Sequence, residues 1–458
     1  MLLKRKPTLL LIVLDVLAIF ACFNVAVYLR GMYLWPVVAP LAGPVLITMV
    51  AIYLVDGYKA RTDMMSLDYT SQHSIALLSA LVFTLLLTFV VAPAGYELQS
   101  SRSVLVIAYL ALIPVTLTYR RAAYSRSLRT RGVRNIVYVG DAVSCRQFEE
   151  ECAKVGMQQP VIYAHAFNLR ADETVPPLSA GLPIRSFAEI INEIDAGKLA
   201  VEAIVLRESS RDLSEHLSQR LMSLYFGGIP TYTLELFHQV YWRKIPLYRL
   251  NHTWLFQEGF PIAREPVFER VKRASDIILA AIGLLLASPL ILLGAMAVWL
   301  DDRGPVFFAQ NRIGKNRTVF RILKLRTMRA AVTPGSLYTQ QGDARITRVG
   351  RFLRQSRLDE LPQLWNVLRG DMSLIGPRAE WDQLVEGYER EIPCYHFRHL
   401  VKPGITGWAQ VNYPYGANLE DTIRKLEYDL YYIRHFSFLL DAAIVLKTIH
   451  IMLFGKGR

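Results

Sequence analysis

Cysteine is scarce in this chain: four among 458 residues, Cys22, Cys145, Cys152 and Cys394, with no CxxC pair and no metal-like spacing. That excludes a disulfide framework and a zinc site, and predicts a reduced body facing the cytosol. His396 and His399 lie three apart near Cys394, but no further ligand pair accompanies them. A G-x-G-x-x-G run is also missing. The strand-like NIVYVG (135–140) is followed by Asp141-Ala142-Val143-Ser144, so the phosphate fingerprint of a dinucleotide fold is absent. Charged residues are few, 20% against 52% hydrophobic, and unbalanced, with a formal net charge of +13. Such a charge suits nucleic acid, anionic lipid or a phosphorylated substrate. The bases form neither a helix-turn-helix nor an aromatic-interleaved stripe, so nucleic acid is not expected as a partner.

What is present is apolar sequence in long runs. Thr8–Leu29, Trp35–Val55, Ser74–Val91 and Val104–Thr118 are each near the roughly 20 residues a span needs, predicting a four-helix transmembrane domain over 1–131. The first run lacks a small-residue cleavage site, which argues against a signal peptide. Lys4, Arg5 and Lys6 before the first run, Lys59 and Arg61 after the second, and Arg120, Arg121, Arg126, Arg129 and Arg131 at the end of the fourth all belong inside. Everything after Arg120 is then cytoplasmic. Residues 132–265 change to an α/β pattern, with strand-like NIVYVG and EAIVL (202–206), predicting a Rossmann-like domain without the nucleotide fingerprint.

A third region, 266–458, opens with another apolar stretch, Ile277–Leu300, broken by Ser288-Pro289 and flanked by Arg270, Lys272 and Arg273 before it and Asp301, Asp302 and Arg303 after it. Crossing the bilayer there would carry an arginine-rich remainder out of the cytoplasm, against the pattern of the first four runs. Two forms stay open: a helix over about 270–300 that enters, bends at the proline and returns, and a fifth span with a kink.

Beyond it, RFLRQSRLDELPQLWNVLRGDMSLIGPRAE (351–380) sets an adjacent carboxylate pair, Asp359-Glu360, among arginines. Asp359 stands where a helix could begin, with Pro362 in the first turn, and a capping role there is compatible with a chemical one. A helix N-terminus and Arg354, Arg357 and Arg378 would keep the carboxylate ionised and favour a phosphate beside it. An ionised, held carboxylate can attack phosphorus; neighbours on a helix point apart, so Glu360 has a separate job, in metal binding or proton handling.

The basic start and Ser-Pro-broken helix, GPVFFAQNRIGKN (304–316), KLRTM (324–328), RITRVGRFLRQSRLDELPQLWNVLRGDMSLIGPR (345–378) and KPGITGWAQVN (402–412) occur here in order. On these motifs the chain, from about Phe268 on, resembles the bacterial sugar transferase family, the monotopic polyprenyl-phosphate glycosyl-1-phosphate transferases. Four spans followed by a Rossmann-like insert are similar to its long form, the undecaprenyl-phosphate glucose phosphotransferase type. The resemblance implies a mainly α-helical catalytic domain with a re-entrant membrane helix. It implies transfer of a sugar-1-phosphate from a UDP-sugar, by default UDP-glucose, to undecaprenyl phosphate with release of UMP. Asp359 would form a covalent phospho-sugar, Glu360 would place Mg2+ with Asp359 or manage a proton, and Lys324, Arg354 and Arg378 would bind phosphate and uridine groups. It places the protein in the bacterial inner membrane, catalytic domain toward the cytoplasm, in contact with membrane lipid, with a homodimer as a further expectation. GPRAEW (376–381) and VNYPYG (411–416) resemble an exopolysaccharide-associated branch.

Two positions depart from the family pattern: Ala379 stands where many members carry proline, and Leu325 where phenylalanine is frequent. Both leave the pocket wall, and the sugar, unassigned. The reading from another class is a catalytically inactive scaffold or regulator of polysaccharide assembly or export, and the retained Asp359, Glu360, Lys324, Arg354 and Arg378 argue against it.

Overall fold

The computed structural model describes residues 6–31, 38–58, 62, 64–91, 102–130, 134–157, 159–165, 183–207, 215–247, 266–329, 345–413 and 418–454. It divides into two compact units, Met1–Gly132 and Val133–Arg458. Lys4, Arg5, Lys59, Arg61, Arg131 and the 248–265 link lie outside the described residues.

The first unit holds helices α1 (Lys6–Leu29), α2 (Ala42–Leu54), α3 (Leu67–Leu86) and α4 (Arg102–Thr130). Ser66 starts α3 by accepting from the Tyr69 N–H at 3.1 Å. Phe23, Leu41, Ile52, Leu77 and Tyr109 form part of the apolar core of the four helices. Into it are folded one acid and one base, Asp15 and Arg120, both fully buried and ion-paired. The Tyr58 hydroxyl donates to Asp15 at 2.6 Å, and Arg120 donates to the Gly57 carbonyl at 2.6 Å and to Tyr69 at 3.1 Å. These bonds offset part of the cost of burying the pair, although the Arg120 Nε makes none among the described residues.

Of the second apolar run, residues 35–37 lie outside the described residues, and the rest is helical from Ala39 to Leu54. A 3-10 turn over Ala39–Leu41 leads into α2, with Pro40 and Pro44 in the opening turns, where a missing N–H costs little. Among the described residues, four helices are long and apolar enough to cross a membrane, α1, α3, α4 and a helix near 270–300; the stretch Ala39–Leu54 is shorter.

The second unit begins with five parallel strands, β1 (Asn135–Val139), β2 (Val161–His165), β3 (Arg185–Ser186), β4 (Val201–Leu206) and β5 (Thr231–Thr233), in the order β3-β2-β1-β4-β5. Helices α5 (Ala142–Val155), α6 (Phe187–Asp195) and α7 (Glu215–Phe226) separate them. β1 is central, pairing Val137 with Ile162 and with Ile204, and is buried on both faces, which is why it reads as an unbroken apolar run. The order is that of a Rossmann-like sheet. At the start of α5, where such folds bind phosphate, Asp141 accepts from the Ser144 N–H at 2.8 Å and pairs with Arg207. A carboxylate therefore occupies the helix N-terminus.

The C-terminal region, from residue 266 on, follows. Helix α9 (Pro266–Asp302) is continuous through Pro289, after a short α8 (Leu234–Phe237). An antiparallel hairpin, β6 (Phe307–Ile313) and β7 (Val319–Leu325), leads to α10 (Arg348–Gln355), a 3-10 turn over Leu358–Glu360, and α11 (Gln363–Arg369). A parallel pair, β8 (Ser373–Ile375) with β9 (Gly404–Thr406), is accompanied by α12 (Asp382–Glu391), α13 (Trp408–Asn412), α14 (Leu419–Arg434) and α15 (Phe438–Phe454).

Helix α9 packs on this region near both of its ends. Arg273 donates to the carbonyls of Val367 at 2.5 Å and Leu368 at 2.7 Å, Asp276 accepts from the Leu374 N–H at 3.1 Å, and Ala280 is buried against Phe320 and Val367. Toward its other end, Ala295 and Val298 pack against Leu325 and Leu353. The rest of its surface exposes Ile278, Leu285, Leu286, Leu292 and Leu300.

The sheet module is joined to the C-terminal region by buried charges. Lys244 donates to Glu151 of α5 at 2.8 Å and to Glu427 of α14 at 3.2 Å, Arg424 pairs with Glu151, and the Ile245 N–H donates to the Glu427 carbonyl at 3.0 Å.

Candidate active site

The site forms where KLRTM at the end of β7 meets the turn before α11. Lys324 donates to Glu360 Oε1 at 2.9 Å, and Arg357 stands 3.7 Å from Glu360 Oε2. Arg357 takes a left-handed conformation, φ 58°, which turns the chain sharply out of α10 and into the 358–360 turn. On the same segment, Arg354 Nε donates to the Thr327 hydroxyl at 2.9 Å, so KLRTM holds one residue of the turn and one of the helix before it. Gly350 permits that approach: a Cβ there would lie 2.1 Å from the Thr327 carbonyl oxygen.

Asp359 is not a helix cap, contrary to the expectation from spacing. It lies inside the 3-10 turn, Pro362 is the residue immediately before α11, and that helix is only seven residues long. Nor does a helix terminus keep it readily ionised. Burial, and then the neighbouring Glu360 charge, push the Asp359 carboxyl up to about 6 against the opposing pull of Lys324 and Arg354. Glu360 goes the other way: burial works against its charge, but Lys324, Arg378 and Arg357 outweigh it and bring it down to about 2. The adjacent carboxylates are thereby split, one held as an anion and one easily protonated. Burial, with Arg378 nearby, lowers Lys324, and Glu360 opposes that shift.

Arg378 reaches the site from another direction. Its backbone bridges to Gly404, and the two glycine turns interlock: Gly404 N–H donates to the Pro377 carbonyl at 2.8 Å and Gly376 N–H to the Thr406 carbonyl at 2.9 Å. A Cβ on Gly404 would come within 2.1 Å of Gly376 N, which explains why GPRAE and KPGITG each need glycine. All five residues singled out from the sequence, Lys324, Arg354, Asp359, Glu360 and Arg378, therefore converge. Ala379 faces the core beside Ala280 and Phe320, and Leu325 packs with Val298 and Leu353.

Sequence reasoning missed the layer behind Arg378. Arg398 is buried, donates to the Arg378 carbonyl at 3.0 Å, to Asp429 at 2.9 Å and to Tyr395 at 2.7 Å, and lies 3.6 Å from Glu380. Burial raises Asp429 to about 6 despite Arg398, whereas Arg398, Arg378 and Arg312 overcome burial and lower Glu380. The only signal was that Glu380 belongs to a recognised motif; Arg398 and Asp429 lie outside all of them.

No group of three or more metal-ligating side chains occurs among the described residues. A dication of the Mg2+ type asks for less, since it keeps several waters and uses one or two carboxylates together with substrate phosphates. Asp359 and Glu360 fit that requirement: two adjacent carboxylates, one made costly to ionise by burial and by its neighbour, a cost a cation would relieve.

The family described as Bacterial sugar transferase matches residues 267–455. The chain is 40% identical over 269 residues to the UDP-N-acetylgalactosamine-undecaprenyl-phosphate N-acetylgalactosaminephosphotransferase of Aeromonas hydrophila, covering 58% of this chain and 63% of that protein. It is 44% identical over 194 residues to the UDP-glucose:undecaprenyl-phosphate glucose-1-phosphate transferase of Caulobacter vibrioides, covering 42% of this chain and 72% of the relative. The exopolysaccharide production protein PSS of Rhizobium leguminosarum bv. phaseoli is 40% identical over 186 residues, 39% of this chain and 93% of its own length. The chain thus spans less than two thirds of the Aeromonas protein's length.

Proposed function

This chain belongs to the bacterial sugar transferase family, and from that premise we propose that it transfers a sugar-1-phosphate from a UDP-sugar to undecaprenyl phosphate and releases UMP. The observation that carries the reading is the split carboxylate pair ringed by Lys324, Arg354, Arg357 and Arg378. In the first step an Asp359 carboxylate oxygen attacks the β-phosphorus of the donor. The bond from that phosphorus to the bridging oxygen breaks, and UMP leaves with the bonding pair. In the second, an oxygen of undecaprenyl phosphate attacks the same phosphorus and Asp359 leaves as carboxylate, restoring the enzyme. Lys324 and Arg378 steady the diphosphate oxygens, and Glu360, kept anionic, orients Lys324. Asp359 and Glu360 would hold Mg2+, which would supply charge neutralisation.

A covalent intermediate lets a water-soluble donor and a lipid acceptor use one site in turn. The acceptor end requires a site at the bilayer surface, and α9 supports one. Near both its ends the helix packs on the same catalytic region, while its exposed side is apolar between them. A 37-residue helix is about 55 Å long, so crossing a core of about 30 Å would drag part of that region into lipid. We therefore read α9 as re-entrant, with the catalytic region on the cytoplasmic side of the inner membrane. The relatives' names divide between glucose and N-acetylgalactosamine; glucose is our first choice, and assembly of an exopolysaccharide or related polymer the proposed setting.

The test is UMP release by the purified chain in lipid nanodiscs with Mg2+, undecaprenyl phosphate and UDP-glucose, UDP-galactose or UDP-N-acetylgalactosamine, with Asp359→Asn alongside. Lipid-dependent turnover with one donor, lost in Asp359→Asn, is expected. Wild-type turnover in that variant would overturn the covalent role, and no release with any donor would favour the scaffold reading.

A further inference from the structure

Asn366 is fully buried on α11, six residues after Glu360, and none of its polar atoms faces solvent or the reacting groups. Its carboxamide is used in full. Nδ2 donates to the Arg321 carbonyl at 2.8 Å and to Asp371 at 3.2 Å, and Oδ1 accepts from the Leu323 N–H at 3.0 Å. Arg321 and Leu323 lie on β7, whose other edge is paired with β6. Residues two apart on a strand present their free N–H and C=O to the same edge, and one carboxamide meets both as a neighbouring strand would.

Lys324 is the next residue along β7, and its ammonium reaches Glu360. Two connections therefore join the same pair of segments: the Lys324–Glu360 bond, and the Asn366 carboxamide between Leu323 and Arg321. The second fixes where the strand stands along α11, and hence how far Lys324 must reach. We infer that Asn366 is a positioning residue for the reaction, a side-chain clamp that sets the register between the strand carrying Lys324 and the segment carrying Asp359 and Glu360. Only a side chain with donor and acceptor on one short arm can meet both backbone groups. Alanine leaves a buried carbonyl and a buried N–H unmet and frees the strand to slide.

The inference rests on the proposed transferase reading, so the experiment includes a control for it. Turnover is measured for the full chain in nanodiscs with Asp359→Asn, Lys324→Met, Asn366→Ala, Asn366→Ser and both doubles of the Asn366 variants with Lys324→Met. Incubation is long enough to register a loss of about a thousandfold. Asn366→Ala is expected to lower kcat about tenfold, with KM for the UDP-sugar changed less than about twofold, and Asn366→Ser to lose less because its hydroxyl can both donate and accept. In the Lys324→Met background either change should cost less than about twofold more, because the position it sets no longer matters. Losses that multiply, or kcat equal to wild type in Asn366→Ala, would overturn the clamp; so would failure of both single variants to fold, since Asn366 would then be a folding residue. If Asp359→Asn turns over normally, the transferase reading itself fails, an outcome separate from these.

Discussion

Lowering the pH should switch the reaction off well above the ordinary carboxylate range. In the proposed reaction Asp359 has to be ionised to attack phosphorus, and burial beside Glu360 raises it to about 6. At pH 7 roughly nine tenths of the enzyme then carries the nucleophilic anion, and at pH 5 roughly one tenth, a fall of about tenfold in kcat/KM. A carboxyl at its ordinary 3.8 would still be about 94% ionised at pH 5, and activity would hardly change. The assay is the initial rate of UMP release at donor well below KM and limiting Mg2+, between pH 4.5 and 8.5. Raising Mg2+ should move the acid limb downward, because a cation favours the anion that burial opposes. The same shift acts on stability. The folded value lies above the unfolded one, so the penalty is complete above about pH 6 and gone below about pH 4, about 3 kcal/mol at most. Asp359→Asn should therefore raise the Tm at pH 8, by a margin that shrinks to about half in free energy at pH 5. A kcat/KM profile flat to pH 5 at limiting Mg2+, together with an unchanged Tm in Asp359→Asn, would refute the assignment of burial as the dominant influence on this carboxyl.

Gly404→Ala should destabilise the protein by about 3 kcal/mol and nearly abolish turnover, because the new Cβ would lie 2.1 Å from Gly376 N and push away the turn that carries Arg378; thermal unfolding and UMP release both report it. Lys244→Met leaves Glu151 and Glu427 buried with Arg424 as their remaining partner in the cluster, at a cost of about 3–5 kcal/mol. A Tm within a degree of wild type would show that the charges contribute nothing net to docking the sheet module.

Much of the architecture was legible because its causes are local. Apolar runs of bilayer length read as helices, and their described parts are helical. NIVYVG read as a strand of a Rossmann-like domain, and it is β1, which the structure places at the centre of the parallel sheet. The five chemically conspicuous residues were identifiable too, as charges gathered around KLRTM, Asp359-Glu360 and GPRAE. Less of the electrostatics could be read, because pKa depends on burial and on which charges face one another, and linear distance conveys neither. From spacing, Asp359 was expected at a helix cap and readily ionised; in the fold it sits in a buried 3-10 turn beside a second carboxylate and is raised. Arg398 and Asp429, 31 residues apart, gave no sign of a shared task until α14 was laid against the 395–400 turn. The sequence by itself determined the helices, the module order and which charged residues gather around KLRTM and Asp359-Glu360, since propensity, periodicity and charge are properties of neighbouring residues. Which carboxylate stays charged, what holds Arg378 and where Lys324 stands along α11 were decided only by tertiary structure, because burial and long-range contact arise when distant segments pack together.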